Sequence, residues 1–163
     1  MEETELYFAF GSNLSARKMR ERGTRFISRE SAVLQGFRVV FSIWKDDGFG
    51  YANIIPDKDS TVYGALYICL KGSLAKLDEH EVGRLRRVNV QVERKSGEIV
   101  DATAYQAYEE YLNANSETAR KEKTTQGQLN PISFNELSSR KIVFREFREM
   151  QTLTLYLMYE YFM

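Results

Sequence analysis

YFAFGSNL, residues Tyr7–Leu14, is an apolar run that breaks abruptly into Gly-Ser-Asn and then into a helix-like segment. This order predicts a strand that ends in a turn and delivers backbone N–H groups to a ligand. Gly11 can adopt a positive φ and allows close approach of another group. Ser12 and Asn13 favour turns and helix N-caps, and successive N–H groups can bind an anion. Most Gly-Ser-Asn sequences after a strand are ordinary turns, so that alternative stays open.

Two later segments accompany this turn. Val62–Tyr67 (VYGALY) predicts a strand, and the following sequence predicts a short helix over 72–81. Within that helix Glu81 falls on the same face as Leu74 and Leu77, because residues four apart are about one turn apart. We therefore expect Glu81 to be partly desolvated, which raises the pKa of a carboxyl group and suits it to proton transfer. The alternative is that Glu81 ends an exposed surface helix, since glutamate is rarely buried.

Together these segments resemble the γ-glutamyl cyclotransferases. Members of that family open with a strand ending in YGSNL, continue with a V-x-G-x-x-[YW] strand, and follow it with a short helix of pattern L-D-x-x-E-G. The resemblance covers residues 5–107, and residues 108–163 form a divergent C-terminal segment. It implies one α+β domain over residues 1–163, built as a mostly antiparallel mixed β-barrel with short helices.

The resemblance also implies a reaction. The α-amine of a γ-glutamyl compound would attack its own γ-carbonyl and release 5-oxoproline with an amine or amino acid, so proximity would supply much of the rate. No cofactor and no metal are required, and the partner is the small γ-glutamyl molecule itself. Glu81 is the implied general base, and the implied substrate-binding residues are Tyr105 and the loop residues Tyr7, Phe8, Ala9, Phe10, Gly11, Ser12 and Asn13. For Tyr105, an aromatic ring simply packed on the sheet is an equal alternative.

The sequence departs from the family pattern in several places. Phe10 stands where the family has tyrosine, the basic run Arg84–Arg87 replaces a tyrosine after the helix, and Gly83 follows Glu81 by two positions instead of one. The C-terminal third lacks the Pro-Ser and Gly-Leu-Pro patterns of the family. These departures favour a second hypothesis, a non-catalytic binding or interaction module of the same fold. The identity of the leaving amine stays open.

Composition excludes several classes of function. The chain has 163 residues, is 43% hydrophobic and carries no formal net charge, which predicts one globular domain and argues against a nucleic-acid or membrane-surface binder. The single cysteine, Cys69, lies in an apolar run that predicts a buried thiol. With one histidine, His80, a zinc site is not expected. No signal peptide or spanning segment is recognised, so we expect a cytoplasmic protein.

The remaining patterns predict the order of elements. A helix is expected over 15–22, and Pro56-Asp57-Lys58-Asp59 is expected to end a strand. A hairpin is expected to turn at 95–97. Beyond residue 112 the sequence predicts a polar loop or loosely held helix over 113–130 and an amphipathic helix over 134–150. The apolar end is expected to close a sheet edge or to make an oligomer contact, which leaves a homodimer open. Six strands are expected in total, over 5–10, 39–44, 51–55, 61–70, 88–93 and 99–108.

Overall fold

The computed structural model describes residues 2–44, 50–83 and 85–108, with residues 41–44, 50 and 51 described by their backbone alone. The predictions for 113–163 and for the turn at 45–48 lie outside these residues. None of the helices in the described ranges is long and apolar enough to cross a membrane. The elements in chain order are β1 (Thr4–Ala9), a 3-10 turn (Ser12–Leu14), α1 (Ala16–Glu21), β2 (Phe26–Trp44), β3 (Gly50–Leu70), α2 (Ala75–Glu81), β4 (Leu85–Arg94) and β5 (Ile99–Ala107).

The strands form a closed barrel in the order β1-β3-β2-β4-β5. Neighbouring strands are antiparallel except at the closure, where β5 returns to β1 in parallel and Tyr7 lies opposite Thr103. The β4–β5 hairpin forms where it was predicted. A small, mostly antiparallel mixed barrel with a few short helices is therefore confirmed.

The expectation that Pro56 ends a strand was wrong. β3 runs from Gly50 to Leu70 without interruption, so two predicted strands are one, and the described residues contain five strands instead of six. Pro56 lies opposite Phe37, where the register between β2 and β3 shifts. A bulge leaves backbone groups unpaired, so it tolerates a residue that has no N–H to donate.

Side chains alternate along β1 and divide the core into two clusters. Phe8 joins an interior cluster to which all five strands contribute. Tyr7 and Ala9 point to the opposite face and join a second cluster, in which β1, β3 and β5 pack against the 3-10 turn and the two helices. The helices therefore cover one outer face of the barrel, and residues from both belong to the same apolar layer as Tyr7.

The two helices meet at the end of α1. Ser15 caps α1 by accepting a hydrogen bond from the Lys18 N–H at 3.4 Å, so the helix begins one residue after the predicted start. Gly23 ends the helix with φ +78°, a conformation that favours glycine. A Cβ built on Gly23 would lie 3.6 Å from Cγ of Lys76, so the end of α1 lies beside α2. This contact brings Arg22 close to Glu81.

Candidate functional site

Glu81 is a buried carboxylate at the end of α2. Its side chain is 12% exposed, and Leu77 on the same helix face is fully buried. In contrast, the side chain of Glu79 is 65% exposed and forms an ion pair with Lys76 at 3.0 Å. The predicted orientation of the helix is confirmed: Glu81 faces the protein and Glu79 faces water.

A chain of polar contacts joins Glu81 to the loop after β1. Nη1 of Arg22 lies 3.6 Å from Oε1 of Glu81 and donates a hydrogen bond to Oδ1 of Asn13 at 2.6 Å. Nδ2 of Asn13 in turn donates to the hydroxyl oxygen of Tyr7 at 2.8 Å. The fold thus gathers three residues from the predicted site, Glu81, Asn13 and Tyr7, around an arginine that the sequence did not single out.

The loop itself is held through its carbonyl groups. The Tyr67 hydroxyl lies 3.0 Å from the carbonyl oxygen of Asn13 and 3.1 Å from that of Leu14, and Arg29 donates to the Leu14 carbonyl at 2.6 Å. The N–H groups of Ser12 and Asn13 begin the 3-10 turn, so they have no acceptor within it. The loop is therefore anchored through its carbonyl groups, and the turn itself supplies no acceptor for these two N–H groups.

Gly11 does not need the positive φ that its sequence context predicted. Its φ is −116°, within reach of other residues. What restricts this position is space, because a Cβ built on Gly11 would lie 3.2 Å from Cβ of Ala52 in β3. Glycine is therefore favoured here by the close approach of a neighbouring strand and not by the turn.

The other predicted loop residues take different places. Phe8 and Phe10 belong to the interior cluster, so their side chains lie away from the contacts around Glu81. Ala9 is fully buried beneath the helices, and Ser12 is partly exposed, with its carbonyl oxygen accepting from the Ser15 N–H at 3.3 Å. For Phe8, Ala9, Phe10 and Ser12, a role in substrate binding stays a prediction.

Tyr105 and Asp78 form a second polar group beside the first. The Tyr105 hydroxyl donates to Oδ1 of Asp78 at 2.7 Å, and its ring meets the ring of Tyr7 edge to face at 5.8 Å. Arg87 donates to both oxygens of Asp78, at 2.8 and 2.7 Å. Asp78 lies in the first turn of α2, and these contacts tie the helix to β4 and β5.

Burial keeps the neighbouring hydroxyl and thiol groups protonated. Desolvation raises the pKa of Tyr7, of Tyr67 and of Tyr105, and the nearby Glu81 carboxylate raises that of Tyr7 further. The predicted burial of Cys69 is confirmed, and burial raises the pKa of its thiol to about 12. At neutral pH the three tyrosines are therefore neutral hydrogen-bonding groups. The carboxylate of Glu81 is the group in this cluster that can act as a base.

Two residues of the site were missed from the sequence. Tyr67 closes the VYGALY segment, so its position in that motif was a usable signal, although no role had been assigned to it. Arg22 carried no such signal, because its place depends on where α1 ends and on how Gly23 packs against α2.

Comparison with known proteins gives the following matches. A family model described as gamma-glutamyl cyclotransferase, AIG2-like, matches residues 7–127. A crystal structure of the uncharacterized human protein loc79017 is 28% identical, covers 66% of this chain and 68% of its own, and has a TM-score of 0.58. A structure named gamma-glutamyl cyclotransferase is 22% identical over 85% of this chain and 99% of its own, with a TM-score of 0.55.

A more distant match is the crystal structure of a gamma-glutamyl cyclotransferase specific to glutathione from yeast, 13% identical over 64% of this chain and 69% of its own, with a TM-score of 0.53. At such low identities this structure and the one named gamma-glutamyl cyclotransferase show a shared fold only. No curated protein matches the chain.

Proposed function

This chain belongs to the gamma-glutamyl cyclotransferase, AIG2-like family, and we propose on that basis that it is a γ-glutamyl cyclotransferase. It would convert a γ-glutamyl compound into 5-oxoproline and a free amine or amino acid. The observation that carries the proposal is the buried carboxylate of Glu81, joined through Arg22 to the loop that follows β1. A carboxylate shielded from water and positioned beside a loop with available N–H groups is what a one-base ring closure requires.

In the proposed mechanism Glu81 takes a proton from the α-ammonium group of the substrate. The freed amine attacks the γ-carbonyl carbon, a new C–N bond closes the five-membered ring, and the γ-carbonyl oxygen becomes an oxyanion. Glu81 returns the proton to the departing nitrogen as the old C–N bond breaks and the carbonyl re-forms, and the second proton that the ring nitrogen must lose passes to the released amine or to water. No cofactor enters these steps, because the substrate supplies both nucleophile and electrophile.

The loop N–H groups would bind negative charge during this reaction. Those of Ser12 and Asn13 would hold the α-carboxylate or the developing oxyanion, an arrangement that is effective when the donors are fixed beforehand. Tyr67 and Arg29 bind the Asn13 and Leu14 carbonyls, and these contacts support a loop whose position is fixed before the substrate binds. The protonated Cys69 takes no part as a nucleophile.

The proposal is tested by incubating the protein with a panel of γ-glutamyl compounds and measuring 5-oxoproline. The panel contains γ-glutamyl dipeptides, glutathione, a γ-glutamyl polyamine and a γ-glutamyl lysine side chain, because the leaving amine is the open question. Release of 5-oxoproline from at least one compound, lost in Glu81→Gln, supports the enzyme. Binding of these compounds with no product would support the non-catalytic module instead.

A further inference from the structure

Arg22 has an unused edge beside the proposed base. The nitrogen Nη1 makes both of its contacts, with Asn13 at 2.6 Å and with Glu81 at 3.6 Å. The other two nitrogens, Nε and Nη2, have no hydrogen-bond partner among the residues that the structure describes. The Arg22 side chain is 26% exposed, so part of it is accessible to a small molecule.

The free edge has the geometry that carboxylates prefer. Nε and Nη2 of a guanidinium present two parallel N–H bonds, which match the two oxygens of a carboxylate. The same chain provides an example, since Arg87 uses these two nitrogens to bind Asp78 at 2.8 and 2.7 Å. Nε and Nη2 of Arg22 can therefore bind a carboxylate in the way that Arg87 binds Asp78.

The charges of Arg22 and Glu81 are complementary to the two charged groups on the α-carbon of the proposed substrate. The α-carbon of a γ-glutamyl group carries an ammonium and a carboxylate as direct neighbours. Glu81 and Arg22 present the complementary pair, a carboxylate and a guanidinium 3.6 Å apart. If the ammonium lies against Glu81, as the mechanism requires, the attached carboxylate falls within reach of Arg22.

We propose that Arg22 binds the α-carboxylate of the substrate and thereby restricts the protein to γ-glutamyl compounds in which this carboxylate is free. The inference rests on the proposed function and refines it. With the α-carboxylate on Arg22, the N–H groups of Ser12 and Asn13 are left for the oxyanion on the γ-carbonyl.

The test compares two unreactive ligands, 5-oxoproline and 5-oxoprolinamide, which differ only in the charged group. Calorimetric titration of the wild-type protein should show tighter binding of the acid, by about 10- to 100-fold for a charge-assisted hydrogen-bonded contact. In Arg22→Gln this preference should vanish, while binding of the amide changes by less than about threefold. Arg22→Lys keeps the charge but not the paired N–H bonds, so it should retain only part of the preference.

Arg25→Gln is the matched control, because it removes the same charge from an exposed side chain nearby and should keep the full preference. Thermal melting of each variant verifies that it is folded.

The inference is overturned if Arg22→Gln still prefers the acid as the wild type does, or if the wild type binds acid and amide equally or not at all. Turnover of γ-glutamyl compounds is measured separately. An Arg22-dependent preference without turnover would therefore reject the proposed enzyme and keep the carboxylate site.

Discussion

Glu81→Gln removes one charge and nearly preserves the shape of the side chain. We expect this variant to fold and to lose 5-oxoproline formation by about 10²- to 10⁴-fold, the usual contribution of a general base. Initial rates of 5-oxoproline release from a γ-glutamyl dipeptide measure the loss, and circular dichroism checks the fold. A variant that keeps more than about half of the wild-type rate would remove Glu81 from the mechanism.

Glu79→Gln is the control for that experiment. Its side chain is 65% exposed and its ion pair with Lys76 spans one helix turn, so it contributes only tenths of a kcal/mol. We expect turnover to change by less than about threefold. An inactive Glu79→Gln beside an active Glu81→Gln would mean that the base is on the other face of α2.

Gly11→Ala should strain the contact between the loop and β3. The added Cβ would lie 3.2 Å from Cβ of Ala52, so one of the two segments must move. We expect a loss of about 1 kcal/mol in the free energy of unfolding and a larger loss for Gly11→Val. Urea unfolding measures both. The double variant Gly11→Ala/Ala52→Gly removes the crowding and should recover most of the loss; a failure to recover would place the cost in the backbone of Gly11 instead.

The sequence predicted individual site residues only where local spacing fixes them. Glu81 was found because four residues along a helix return to the same face. Arg22 was not found, since its contact with Glu81 depends on the packing of one helix end against another. Of the two reasons given for Gly11, the positive φ was wrong and the close approach of another group is confirmed, although the sequence does not show which atom approaches it.

Asp78 anchors α2 to the strands, and Asp78→Asn should loosen that attachment. Asparagine keeps an oxygen for the Tyr105 hydroxyl but loses the charge that pairs with Arg87. Both side chains of the ion pair are more than a third exposed, 38% for Arg87 and 44% for Asp78, so we expect a loss of about 1 kcal/mol or less in the free energy of unfolding. Urea unfolding at neutral pH measures it.

The same variant should change how stability depends on pH. Hydrogen bonds from Arg87 lower the pKa of Asp78 in the folded protein. The resulting stabilisation is complete above the ordinary aspartate pKa of about 3.9 and is lost as the pH falls through the lowered value. The stability difference between wild type and Asp78→Asn should therefore be largest near neutral pH and shrink below about pH 4. A difference that grows in acid would contradict this assignment.

The prediction of strands succeeded where turn residues separate short alternating runs, as in the β4–β5 hairpin. It failed at Pro56, because β3 continues through an irregularity instead of ending. Between Pro56 and Thr61 the pairing with β2 skips residues 57–60, while β2 advances only from Phe37 to Gln35. A single sequence shows the proline and the turn residues after it but not that the same strand resumes beyond them, so β3 was divided in two.

Gly64→Ala should destabilise the whole barrel. A Cβ at this position would lie 2.5 Å from Cζ of Phe8 and would also press on the carbonyl oxygen of Ala9. Phe8 is fully buried in the cluster shared by all five strands, so neither ring nor backbone can move without disturbing every strand. We expect a loss of about 3 kcal/mol or more in the free energy of unfolding. Urea unfolding followed by circular dichroism and by tyrosine fluorescence measures it. An unchanged midpoint would show that β1 and β3 can separate at little cost.

The parallel pairing of β1 with β5 has a consequence for biosynthesis. Tyr7 belongs to β1, which precedes the other described strands in the chain, while Thr103 and Tyr105 belong to β5, which follows them. The loop after β1 and the carboxylate of Glu81 are therefore synthesised before β5, the strand that closes the barrel. Contacts between such distant parts of a chain form slowly. Until β5 is complete, Tyr7 lacks the ring of Tyr105 and α2 lacks the hydroxyl that holds Asp78. The growing polypeptide consequently has no assembled site until β5 has been synthesised, and the proposed ring closure of γ-glutamyl molecules would begin only then.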